Sequence, residues 1–93
     1  MPRHQRITPA MARVLAFLRR DPRRAYILRS AGSSSTGPYC VAKVERSHDS
    51  LPVHSRTFEA LRDRRWLLRT SQEINDGWYE DRWVVATRAG GRT

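Results

Sequence analysis

Apolar residues recur at helical spacing in two stretches of the chain, and runs of strand-forming residues lie between and after them. Met11, Val14, Leu15 and Leu18 stand at i, i+3, i+4 and i+7, one stripe of a helix. Thr8-Pro9 supplies a hydroxyl N-cap and a proline at the first helical position, and Asp21-Pro22 ends the run. Together these predict a helix over about 8–20, with Arg13, Arg19 and Arg20 on its other faces. A second helix is expected over about 55–65, capped by Ser55. Phe58 and Leu61 face one way with Thr57 beside them; Arg56, Glu59, Ala60, Asp63 and Arg64 stand opposite.

The stretch 23–50 has shorter periods. Ala25-Tyr26-Ile27-Leu28 is rich in strand formers, and 31–38 (Ala-Gly-Ser-Ser-Ser-Thr-Gly-Pro) is a turn or loop. Tyr39 to Val44 fits a returning strand that closes a hairpin, and Val41 to His48 fits a short helix; the β-propensity of Tyr39, Val41 and Val44 favours the hairpin. Leu51-Pro52-Val53 breaks the chain. Beyond the second helix, Trp66-Leu67-Leu68 begins an extended segment. Asn75-Asp76-Gly77 marks a tight hairpin turn, and Trp78 to Ala86 returns.

Charge narrows the choice of partner. Of 93 residues, eighteen are Lys or Arg against nine Asp or Glu, a formal net charge of +9. Lys43 is the sole lysine, so seventeen of the eighteen are arginine. GC-rich codon usage accounts for arginine over lysine but not for base over acid. A small basic domain of this kind points to a polyanion, nucleic acid first. The length allows one small core and excludes a multidomain enzyme or a doubly wound cofactor fold. No apolar run approaches the roughly 20 residues of a membrane span. Met1 to Arg6 lacks the apolar core of a signal peptide, and the single Cys40 fits a reducing compartment, so a cytoplasmic setting is expected.

The element order resembles a winged helix-turn-helix domain of the α+β class. Three places carry the likeness. Ile7-Thr8-Pro9-Ala10, followed by the stripe Met11, Val14, Leu15 and Leu18, is similar to the opening helix of small actinobacterial and phage winged-helix proteins. Pro52-Val53-His54-Ser55-Arg56-Thr57-Phe58-Glu59-Ala60-Leu61 resembles their recognition helix. Trp83 to Gly90 is similar to the segment that closes the wing in relatives of the MarR and PadR repressors. The resemblance implies an N-terminal helix over about 8–20, a recognition helix over about 55–65 and a C-terminal β-hairpin wing over about 66–87. Around a domain spanning 8–90 it leaves a flexible basic arm at 1–7 and a flexible tail at 91–93. It departs from the family at the end of the recognition helix, where Trp66 precedes the two leucines and glycine is absent. A left-handed cap is costly without glycine, so a different joint is expected there. MarR and PadR repressors also carry a further helix beyond the wing for dimerisation; with the sequence running to Thr93, family-style dimerisation and the effector pocket that goes with it are not expected.

The implied function is sequence-specific binding of double-stranded DNA, as in a small transcriptional regulator of a GC-rich bacterium or phage. An excisionase-like architectural role is the nearby alternative. The second helix would enter the major groove, with Arg56 reading guanine and Ser55 and Thr57 on phosphates. The full DNA-facing set is Ser55, Arg56, Thr57, Ala60, Arg62, Arg64, Arg65, Arg69, Arg82, Arg3 and Arg6. A homodimer through the first helix is expected if its stripe is exposed.

Two other readings compete. The acidic residues Glu73, Asp76, Glu80 and Asp81 near the wing tip fit a protein partner, which would make the chain an interaction module. A single-strand or RNA binder would instead show Trp78 or Trp83 exposed for base stacking, although three tryptophans, Trp66, Trp78 and Trp83, fit a small core. His4, His48, His54 and Cys40 match no metal-ligand spacing, and no cofactor is expected. His48-Asp49-Ser50 holds triad residue types, but consecutive side chains point apart. No enzyme is expected.

Overall fold

The computed structural model describes residues 7–32, 39–75 and 77–86. Helix α1 spans Pro9–Arg19, and the Thr8 hydroxyl accepts from the Met11 amide at 3.1 Å. Strands β1 (Ala25–Gly32), β2 (Tyr39–Val44) and β3 (Ser50–Pro52) follow as an antiparallel meander. Helix α2 (Ser55–Asp63) then leads to the hairpin β4 (Leu67–Asn75) and β5 (Trp78–Val85). The sheet has five strands in the order β3-β2-β1-β5-β4, with every neighbour antiparallel. No helix among the described residues is long and apolar enough to cross a membrane.

Both helices cover one face of this sheet. The α1 stripe Met11, Val14, Leu15 and Leu18 packs with Phe58 and Leu61 of α2. Beneath them lie alternate strand residues: Ala25 and Ile27, Cys40 and Ala42, Leu67, Trp83 and Val85. Phe58 meets Trp83 edge-on, ring centroids 5.2 Å apart at 80°, a geometry worth about 0.5–1.5 kcal/mol beyond the area it buries. Because the α1 stripe is core, it offers no apolar surface for a homodimer.

The expected winged helix does not form. Among the described residues no helix lies between α1 and α2, so there is no helix-turn-helix; strands occupy that stretch instead. Nor is the C-terminal hairpin a projecting wing. From Ile27 to Gly32, β1 pairs with β5, which places the hairpin inside a continuous sheet. The strand formers of 25–32 and 39–44 pair with each other, and β1 also pairs with β5, so that one face of each strand lies under the helices. Tyr39–Val44 is thus a strand, and Leu51-Pro52 is no simple break but part of β3, an edge where proline costs little because its missing N–H can face outward.

Two local expectations also change. His54, not Ser55, caps α2: its Nδ1 accepts from the Arg56 amide at 3.1 Å. At the other end Arg65 takes a left-handed conformation (φ 63°) despite lacking glycine's freedom. The Trp66 amide donates to the Leu61 carbonyl and the Arg65 amide to that of Arg62. That pair of bonds is a Schellman cap, so the joint is the ordinary one, made at the expense of a strained arginine.

Candidate functional site

An antiparallel sheet covered on one side normally shows polar residues on the other. Here the open face departs from that rule. Strand parity places Tyr26 and Leu28 of β1, Tyr39 and Val41 of β2, Leu68 of β4, and Trp78 and Val84 of β5 on it. Tyr39 is 59% exposed, Leu68 58% and Trp78 39%. An open face this rich in aromatic and aliphatic residues marks a contact surface.

Basic residues are set among these rings. Lys43 is the register partner of Tyr26, and Arg82 that of Leu28. The Arg82 guanidinium lies 4.7 Å from the centre of the Tyr26 ring, a cation–π contact that holds the charge flat on the sheet. Among the described residues Arg82 makes no ion pair. A hydrogen bond from the Thr70 hydroxyl to the Arg82 carbonyl, at 3.4 Å, ties the strand to the bulge between Arg69 and Ser71 of β4. The face is therefore graded: Tyr39 and Trp78 stand toward one end, with the carboxylates Glu80 and Glu73 beside them, while Lys43, Arg82 and the turn arginines Arg23 and Arg24 stand toward the other.

The described residues expected to face DNA divide between the two sides of the sheet. Among them only Arg82 lies on the open face; the α2 residues and Arg69 lie on the helix-bearing side. There Arg56 is exposed in the first turn, while Ser55 and Thr57 are half-buried, Thr57 lining a hollow of about 170 Å³ between α1, β3 and α2. Ala60 packs against the core. Arg62 stacks on Phe58 at 5.7 Å and bonds Asp63 at 3.4 Å. Arg64 donates to the Ala60 carbonyl at 3.3 Å, and Arg65 closes the helix cap. Arg69 lies over Trp83 on the helix-bearing side. Arg3 and Arg6 lie outside the described residues, as do the arm through residue 6 and the segment 87–93.

The acidic tip is also divided. Asp81 is fully buried and ion-paired with Arg29, so it is no surface feature. Glu73 and Glu80 are register partners, and Asp76 lies outside the described residues. Burial pushes the Cys40 thiol up to about 11, outweighing the downward pull of Arg29. That environment opposes a reactive thiolate. No group of three or more His, Cys, Asp or Glu among the described residues is arranged to hold a metal.

The sequence reading missed Tyr26, Tyr39, Lys43, Arg23 and Arg24. Apolar residues of β1 and β2 fall on both faces, Tyr26 and Leu28 as well as Ala25 and Ile27, so their pattern does not say which face the helices cover. Comparison with family models, curated proteins and solved structures finds no match.

Proposed function

We propose that the protein binds single-stranded nucleic acid with the open face of its sheet. The observation that carries this reading is the placement of Tyr26, Tyr39 and Trp78 on one uncovered face with Lys43 and Arg82 among them. Bases stack on exposed rings without regard to sequence, and neighbouring guanidinium and ammonium groups neutralise the backbone. The net charge of +9 supplies the long-range attraction. The Tyr26 ring is already covered by Arg82, so Tyr39 and Trp78 are the stacking surfaces and the Arg82 plane is a third.

Duplex DNA held by α2 is the second reading, favoured by one observation: Arg56 is exposed in the first turn of that helix. Fluorescence anisotropy of a labelled 12-nucleotide strand and of its duplex, each at several salt concentrations, separates the two. The open-face reading expects tighter binding of the strand, weakened roughly 5- to 150-fold by Trp78→Ala or Tyr39→Ala. Tighter duplex binding that survives both changes and is lost in Arg56→Ala overturns it.

A further inference from the structure

The basic end of the open face is hollowed. A hollow of about 230 Å³, open to solvent, is lined by four stretches of chain: Arg23 to Tyr26 from the turn after α1 into β1, Glu45 after β2, Thr70 of the β4 bulge, and Arg82 and Val84 of β5. The Glu45 amide donates to the Arg24 carbonyl at 3.0 Å, which fixes the two loops against each other.

Its chemistry is mixed in a telling way. Arg24 is bonded through Nε to Asp21 at 2.9 Å, whereas Arg23 and Arg82 make no ion pair among the described residues. Two arginines without carboxylate partners among the described residues, both lining one hollow, suit a group bearing close to two negative charges. A terminal phosphomonoester carries about −1.5 to −2 at neutral pH, more than the single charge of an internal phosphodiester. The guanidinium fork matches phosphate oxygens in pairs. Glu45, on the same rim, repels phosphate but accepts hydrogen bonds from a sugar hydroxyl or a base amino group. Tyr26 and Val84 give the hollow an apolar wall. The space is smaller than a drug-sized pocket, which begins near 300 Å³, and suits the end of a chain.

Resting on the open-face reading, we infer that this hollow is the subsite for a phosphorylated terminal nucleotide. Arg23 and Arg82 hold the phosphomonoester, Glu45 takes a hydroxyl or amino donor of the same nucleotide, and the following bases run toward Tyr39 and Trp78.

The test compares otherwise identical 12-nucleotide strands ending in 5′-phosphate, 3′-phosphate or hydroxyls only, by competition against a labelled strand. One phosphorylated end is expected to bind about tenfold tighter than the hydroxyl form, the effect of one or two charge-assisted hydrogen bonds. Arg23→Gln, in an exposed turn, is expected to weaken the phosphorylated strand about tenfold more than the hydroxyl strand, so that the preference is lost even though both affinities fall. Equal affinity of all three strands for the unaltered protein overturns the subsite and leaves the open-face reading standing. A separate arm needs no oligonucleotide: amide NMR shifts during titration with adenosine 5′-monophosphate, adenosine and inorganic phosphate. Saturable shifts at Tyr26, Glu45 and Thr70 with the monophosphate, absent with adenosine and weaker with phosphate, support the subsite even if the strand fails to bind. Shifts spread over all surface arginines without saturation overturn it.

Discussion

Arg29 and Asp81 face each other across β1 and β5 as register partners and close a two-pronged ion pair. Nε donates to Oδ1 at 3.2 Å and Nη2 to Oδ2 at 2.9 Å, while Trp83 Nε1 donates to Oδ1 at 2.9 Å. The guanidinium also lies 4.7 Å from the centre of the Phe58 ring. Burial pulls the Arg29 pKa down, and the hydrogen bond to Asp81 and its charge outweigh that pull, so Arg29 is held above its ordinary value. The carboxylate is fully buried on the helix-covered face, a position that would otherwise be apolar.

Asp81→Asn should therefore destabilise the protein by about 3–5 kcal/mol, because it strands a largely buried guanidinium. Urea denaturation measures this. Adding Arg29→Leu to Asp81→Asn removes the stranded charge and should recover more than half of the loss. A double variant no more stable than Asp81→Asn alone would show that the stranded charge is not the cause.

Arg65→Gly should stabilise the fold. A left-handed conformation costs a residue with a Cβ about 1–2 kcal/mol, and glycine's greater freedom in the unfolded chain returns part of that. The net expectation is a gain of about 0.5–1 kcal/mol, a few degrees in Tm for a domain of this size. A lower Tm would mean that the Arg65 side chain contributes more than its backbone strain removes.

Cys40 should make stability fall in alkali. Its thiol keeps the proton to about pH 11 in the folded chain and loses it near its ordinary value of about 9 when unfolded. The neutral thiol thus favours folding fully below about pH 9, and this contribution is lost as the pH rises to about 11. Urea titrations of the protein and of Cys40→Ala at pH 8 and pH 10.5 should show the gap between them shifting in favour of the variant at the higher pH. Parallel losses in the two proteins would refute the assignment.

Arg82→Ala and Arg56→Ala separate the two faces. On the open-face reading, Arg82→Ala lowers single-strand affinity and reduces the salt slope by about one, the signature of a lost phosphate contact. Arg56→Ala leaves both nearly unchanged. The reverse ranking moves the interface to α2.

The sequence by itself determined the local elements wherever one residue type dominates. The stripe from Met11 to Leu18 allows only a helix with that face buried, Thr8-Pro9 fixes its start, and the turn signal near Gly77 matches a hairpin whose strands end at Asn75 and resume at Trp78. The basic excess that points to a polyanion is likewise a property of composition. What it left undecided was which strands pair and which face the helices cover. A winged helix and this sheet share the order of a first helix, a later helix and a final hairpin, and differ in where β5 finds its partner. That partner, β1, lies some fifty residues away in sequence, as the Arg29–Asp81 separation of 52 shows. A strand with apolar residues on both faces does not name the inner one, so Tyr26 reads only as a strand former and Arg82 as a wing arginine until the packing of α1 and α2 leaves them on one open surface. Asp81 is the converse: its charge reads as exposure, and only a guanidinium from a distant strand and an indole N–H make its burial affordable.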